Sequence, residues 1–181
     1  MTNDALESLK YPVGKFRFPE NIPSSILKQW TERIARFPRE MTELVSGLSD
    51  KQLDTPYRPD GWNIRQVVHH VGDSHMGSYT RFKWALTEDN PMIKTYDQDK
   101  WSDLPDTKFG PIKEALDFLT ALHSKWVTLL HSLSSEQWER TFQHPEMKRT
   151  ITLKQNLALY VWHCDHHYAH IKQLLISKGW L

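Results

Sequence analysis

The residues best equipped for chemistry lie in one stretch, Tyr160-Val161-Trp162-His163-Cys164-Asp165-His166-His167-Tyr168-Ala169-His170. It holds four of the chain's ten histidines in eleven positions. The stretch falls inside a run from about Leu153 to Ser177 that reads as one long helix. Residues four apart share a helix face. His163 and His167 therefore stack one turn apart, with His170 close beside them, and two imidazoles in that relation can reach one divalent cation. A histidine from elsewhere would complete a three-His site with an open coordination position, the pattern of a catalytic rather than a structural metal.

The elements that must position these residues are helical. Residues 1–23 carry Pro12, Gly14, Pro19 and Pro23 without lasting periodicity, which predicts an extended arm packed on the domain. Ser24 or Ser25 then caps a helix from about Ile26 to Val45, with Trp30, Ile34, Phe37, Met41 and Leu44 at helical spacing. Pro38 inside it predicts a kink or a break. Asn63, with Gln66 three residues on, has the capping-box pattern for a second helix to about Leu86. Its apolar stripe is Ile64, Val67, Val68, Val71, His75 and Phe82. Glu88 to Phe109 reads as a long polar loop able to cover a site. Pro111 opens a third helix to about Leu130, and Thr141 to Thr152 is a loop or a short hairpin. Leu48 to Leu53 and Leu133 to Trp138 echo one another, each ahead of a loop and a His-bearing helix. The expectation is an all-α four-helix bundle, one domain over residues 1–181 with the arm at 1–23 and the bundle at 24–181, and a site built from side chains on facing helices.

The second helix offers His69, His70 and His75 as the third ligand. His75 falls within the apolar stripe. His70 lies on another face, in line with Ser74, Gly77 and Arg81, where small residues leave room for a substrate. Spacing alone leaves both His70 and His75 open.

Gly61-Trp62-Asn63-Ile64-Arg65-Gln66-Val67-Val68-His69-His70 resembles the start of the His-bearing second helix of the DinB superfamily, in which a metal-binding His stands eight residues after a Trp. His163-Cys164-Asp165-His166-His167 resembles that superfamily's H-x-x-H-H. The resemblance implies His70, His163 and His167 as ligands to one divalent metal per chain. Tyr11-Pro12-Val13-Gly14, Gln52 to Arg58, Asp73-Ser74-His75-Met76 and Leu159 to His163 are similar to the YfiT branch. Tyr168 and His170 depart from the wider superfamily, many members of which carry an R-G-Q run there. What the resemblance further implies is a homodimer of DinB/YfiT bundle type.

Three neutral imidazoles leave a dication's charge uncompensated and favour an anion at the open positions. Zinc or nickel suits such ligands best. Two enzyme readings follow: hydrolysis by activated water, as members of the branch are described, or delivery of a low-molecular-weight thiol such as bacillithiol to an electrophile, as several DinB-like proteins do. Asp165 points about 160–200° away from His163 and His167 and is poorly placed as a base. Asp73 could accept a hydrogen bond from a histidine, or be a surface carboxylate. With no evident carboxylate base, thiolate delivery is favoured. His75, His166 and His170 are candidates for supporting or acid–base roles, each with a purely structural alternative. Arg81 could meet an anionic group of a thiol substrate, although a solvated charge is the default. Cys164, on the apolar side, reads as a core residue. A third reading is a non-enzymatic metal-binding stress protein.

Composition narrows the field. Charged residues make up 25 % of the chain and the net charge is +1, which points to no nucleic acid and no anionic membrane as partner. One cysteine, no long apolar run and no basic–apolar start favour the cytoplasm.

Overall fold

Four helix starts share one chemistry. A Ser, Thr or Asn side chain accepts a backbone N–H three residues on, and a Gln at that third position reaches back to the cap's own N–H. The pairs are Ser49 with Gln52, Asn63 with Gln66, Ser134 with Gln137 and Thr152 with Gln155. Each box satisfies two backbone donors that a helix start leaves open.

The computed structural model describes residues 3–181. In chain order the elements are α1 (Asn3–Lys10), α2 (Ser24–Val45), α3 (Asp50–Leu53), α4 (Ile64–Thr87), α5 (Gln98–Ser102), α6 (Pro105–Phe109), α7 (Ile112–His131), α8 (Ser135–Trp138), the hairpin β1 (Thr141–His144) and β2 (Arg149–Thr152), and α9 (Leu153–Ser177). The long helices α2, α4, α7 and α9 form a four-helix bundle. Each packs mainly on two neighbours, giving the cyclic order α2–α7–α4–α9. The two helices rich in histidine, α4 and α9, are therefore adjacent. Phe37, Phe82, Leu119, Trp126, Leu157 and Ile171 fill the interior without solvent exposure.

The structure departs from the sequence expectations in several places. Neither Ser24 nor Ser25 caps α2: the helix begins at Ser24 behind Pro23, and no side chain caps it. The arm is not extended throughout, because Asn3–Lys10 is helical; Met1 and Thr2 lie outside the described residues. Tyr11 onward is non-helical, and Trp162 Nε1 donates to the Gly14 carbonyl at 3.0 Å, fastening the arm to α9. The polar 88–109 segment is not all loop, since α5 and α6 interrupt it, each started at an Asp97 cap or at Pro105. Pro38 does not split α2, which runs on as one helix through Val45. The 141–152 segment is the hairpin, and Ile93 N–H and Gln143 N–H bond across to Gln143 and Pro91 carbonyls, so the strand also holds the chain ahead of α5.

Buried Arg65 on α4 ties the covering segment down. It donates to Asp54 and Asp50 at 2.8 Å each and to the Gly110 carbonyl at 3.0 Å. His69 Nε2 donates to the same carbonyl at 3.3 Å, which makes His69 a brace. Gly110 has to be glycine: a Cβ there would overlap the Asp106 carbonyl and stand 3.1 Å from His69 Cε1. The Asp106 obstacle is backbone and cannot rotate away. Gly110→Ala should therefore cost about 1–3 kcal/mol, the range for overpacking, measured as a shift in urea midpoint. An unshifted midpoint would mean that the end of α6 moves freely.

Candidate metal centre

His163 and His167, one turn apart on α9, meet His70 of α4 across the α4–α9 interface. One ligand atom from each lies within 4.8 Å of the others. His163 Nε2 and His167 Nε2 are 3.2 Å apart. Two nitrogens on one tetrahedral zinc stand about 3.3 Å apart, given Zn–N bonds of about 2.0–2.1 Å. Burial pushes the His70 imidazole down to about 3, and pushes His163 and His167 well below the ordinary histidine value, with neighbouring imidazoles adding to the effect. All three are thus neutral near pH 7, the state a metal requires. Donor type, number, spacing and protonation all fit one divalent ion. Trp62 packs against this group, its ring tilted at 4.5 Å from His70 and stacked at 6.5 Å from His167.

The protonation of His163 is fixed by a chain that crosses the bundle. His163 Nδ1 lies 3.0 Å from His75 Nε2; His75 Nδ1 lies 2.7 Å from His123 Nε2; His123 Nδ1 lies 2.7 Å from the Ile34 carbonyl. A carbonyl only accepts, so His123 Nδ1 carries the hydrogen and its Nε2 is an acceptor. His75 must then donate from Nδ1 and accept at Nε2, and His163 must donate from Nδ1. The His163 Nε2 lone pair is left facing His70 and His167. This chain supplies what metal-bound histidines need, an acceptor for the second N–H. It also explains how His75 and His123, both fully or almost fully buried, remain satisfied in the core. His75 lies behind the triad and not within it. His123 was missed in the sequence, although it occupies an apolar position of the α7 stripe, between Leu119 and Trp126.

The remaining candidates separate by contact. His170 Nε2 donates to the Lys10 carbonyl at 3.1 Å and its ring stacks on Tyr57 at 4.0 Å, so it pins the end of α1 beside the site. His166 stacks on Trp162 at 4.3 Å. His166, His167 and His170 form a second close set that shares His167, with three Nδ1 atoms buried and unpartnered. Asp165 turns away and receives Arg33 Nε at 2.7 Å. Cys164 is fully buried in the core. Among the described residues, Asp73 hydrogen-bonds to no histidine; it lies against Asp106. Arg81 is not a solvated charge: it is 7 % exposed, because the hairpin and the 88–97 segment close over its helix face.

Two cavities meet at His163. One, of about 620 Å³, is walled by Lys10 and Tyr11 of the arm, Tyr57, Trp62 and the α9 histidines. The other, of about 540 Å³, is walled by Ser74, Arg81, Tyr96, His144 and Tyr160. Gln98, at the start of α5, lines both.

Two outcomes follow. His75→Phe retains a ring of similar size and removes the acceptor for His163 Nδ1–H. Zinc affinity, measured by competition with a chelating dye, should fall about 10–100-fold; unchanged affinity would show that His163 is held without the chain. Asp73 has its carboxyl raised to about 6 by burial and by Asp106. That folded value lies above the ordinary one, so Asp73 stabilises the fold at low pH and this contribution is lost as pH rises through about 6. Asp73→Asn should accordingly raise Tm at pH 7.5 and leave it nearly unchanged at pH 4. A shift of the same size at both pH values would rule out titration of Asp73 as its cause.

Comparison with known proteins agrees with this architecture. Residues 33–171 match the family model of the DinB superfamily. A Bacillus cereus protein, provisionally named a metal-dependent hydrolase, is 48 % identical over 175 residues, covering 97 % of this chain and all of its own length. A Bacillus anthracis protein with the same provisional name is 47 % identical with the same coverage. The solved structure of YfiT from Bacillus subtilis, described as a probable metal-dependent hydrolase with an unusual four-helix bundle topology, superposes with a TM-score of 0.94 at 44 % identity, covering 96 % of this chain and 99 % of YfiT. A mycothiol-dependent maleylpyruvate isomerase shares the fold at a TM-score of 0.52 and 17 % identity, over 80 % of this chain and 60 % of its own. The chain therefore belongs to the DinB superfamily, in the branch that contains YfiT.

Proposed function

We propose that this protein is a metal-dependent thiol S-transferase that joins a low-molecular-weight thiol of the bacillithiol kind to a small electrophile. The observation that supports this reading best is the pair of cavities meeting at His163. A transfer between two organic reactants has a use for both; hydrolysis has one organic substrate and water.

His70, His163 and His167 would hold the ion, zinc or nickel by the softness of imidazole donors. A divalent ion there supplies Lewis acidity, lowering the pKa of a thiol or a water at its open side. The protein's own share is orientation and exclusion of water. The Ile34–His123–His75 chain keeps the His163 lone pair on Nε2. Trp62 and Tyr57 wall the first cavity, and the arm closes it through His170 and Trp162. In the transfer the thiol sulfur bonds to the electrophilic carbon, the leaving group departs with the bonding electrons, and the thiol proton passes to solvent. Burial leaves His166 at about 3 and His170 at about 4, both weak bases. The metal-ligating set contains no carboxylate among the described residues. A thiol near its ordinary pKa needs less help than water to lose its proton, so the weakness of the bases favours transfer.

Hydrolysis is the second reading, favoured by the provisional names of relatives 47–48 % identical to this chain. The two separate in one experiment. Metal-free protein is loaded with zinc, nickel or manganese, and loss of monochlorobimane or chlorodinitrobenzene is followed with bacillithiol, glutathione or cysteine. Conjugation should require both metal and thiol and be abolished in His70→Ala and His167→Ala. If metal binds and no thiol supports turnover, while an ester or amide is cleaved, the protein is a hydrolase. Metal bound with neither activity would leave a binding protein.

A further inference from the structure

We propose that the second cavity is a carboxylate-binding site in which Arg81 holds the anion. Its meaning for catalysis rests on the transfer reading, since it names the anionic handle of a reactant brought to His163; binding itself does not depend on that reading.

Arg81 is more than nine-tenths buried, yet among the described residues no carboxylate lies within ion-pairing distance of it. A guanidinium carries five N–H donors in a planar fork. Here one of them makes a long contact, Nη1 to the Tyr160 hydroxyl at 3.5 Å, and the side chain fronts the cavity. A cation taken out of water without a partner is costly, and a planar fork matches a carboxylate in two parallel hydrogen bonds. Arg65 and Arg33, the other buried arginines, each meet two carboxylates of this chain. Arg81 is the exception, and it is the one at a cavity.

The surroundings add donors of the right kind. His144 Nδ1 accepts the Met147 N–H at 3.3 Å, so its hydrogen stands on Nε2 and His144 is a neutral donor on the same wall. The Tyr160 hydroxyl donates to the Ser74 carbonyl at 3.0 Å, which directs its lone pairs towards Arg81 and leaves the guanidinium its remaining donors. Asp97 and Glu146 also line the cavity. Two acids there oppose a polyanion such as a phosphate and tolerate a single carboxylate. The site is wired to the metal centre: Tyr160 Oη lies 3.4 Å from Ser74 Oγ, which lies 3.4 Å from His163 Nε2. A reactant anchored by its carboxylate at Arg81 thus presents its remaining length to the open side of the triad.

The test is binding to the intact protein, with and without zinc, by calorimetry. The probes are 3-phenylpropionate and its neutral isostere 3-phenylpropionamide. Wild type should bind the acid at least about tenfold more tightly than the amide, the scale of a charge-assisted pair. Arg81→Met should lose that preference, and Arg81→Lys, which keeps the charge without the fork, should retain part of it. Equal affinity of the two probes for wild type overturns the proposal, whatever the stability of the variants. So does a preference that persists in Arg81→Met. Acid binding through Arg81 in a protein that conjugates no thiol would keep this site and discard the transferase reading; conjugation without any carboxylate preference would do the reverse.

Discussion

The bundle depends on the Ile34 carbonyl. In an uninterrupted helix it would accept the N–H of the residue four further on. That residue is Pro38, which has no N–H. The carbonyl is therefore released from the ladder of α2 and accepts His123 Nδ1 at 2.7 Å. From there the hydrogen-bond direction is dictated through His75 to His163, so a proline on α2 determines which nitrogen of a histidine on α9 is available to a metal. The chain touches all four long helices once each. Slippage of any one of them would break it and leave a buried imidazole N–H without an acceptor, a cost of about 1–3 kcal/mol at each break. The polar path down the middle of an apolar core thus restricts the bundle to one alignment.

That restriction suits a site drawn from two helices. The cyclic order α2–α7–α4–α9 makes α4 and α9 neighbours, so His70 reaches the His163–His167 pair directly. The opposite helices α2 and α7 supply no ligand. They supply the acceptor at one end of the histidine chain and the link in its middle. Apolar packing around Trp126, which lies edge-on to His75, His123 and Tyr160, keeps water from competing for these bonds.

Local signals made the frame legible in the sequence. The Asn63–Gln66 capping pair, apolar stripes and proline positions placed the long helices to within a few residues, and i,i+4 spacing picked out the His163–His167 pair. Spacing could not choose between His70 and His75, because both positions are buried: one faces the ligands, the other the core. The resemblance to a known family separated them. His123 escaped notice because a single histidine in an apolar stripe carries no local sign of its partners, which come from α2 and α4. Pro38 was visible and a kink or a break was expected; the helix does not break, and the consequence that spacing could not show is the freed Ile34 carbonyl. Arg81 was a candidate to meet an anionic group, with a solvated charge as the default, because nothing near it in sequence encodes the hairpin and the 88–97 segment that enclose it. Helix α1 was lost among the prolines that follow it.

Charge joins the two parts of the proposed site. Three neutral imidazoles add nothing to offset a dication, and Arg81 adds a further positive charge to the neighbouring cavity without a carboxylate partner among the described residues. In a partly enclosed space such charges act with less screening than in water. A reactant that placed a negative group at each would satisfy both, while a neutral or cationic molecule of the same shape would satisfy neither. Asp97 and Glu146 also line the cavity in which His163 and Arg81 face the same space, and they disfavour a second negative group beside Arg81. Selectivity would then arise from the separation between Arg81 on α4 and an ion held by His70 of α4 with His163 and His167 of α9, and the α4–α9 alignment that sets it is the one the Ile34–His123–His75–His163 chain enforces.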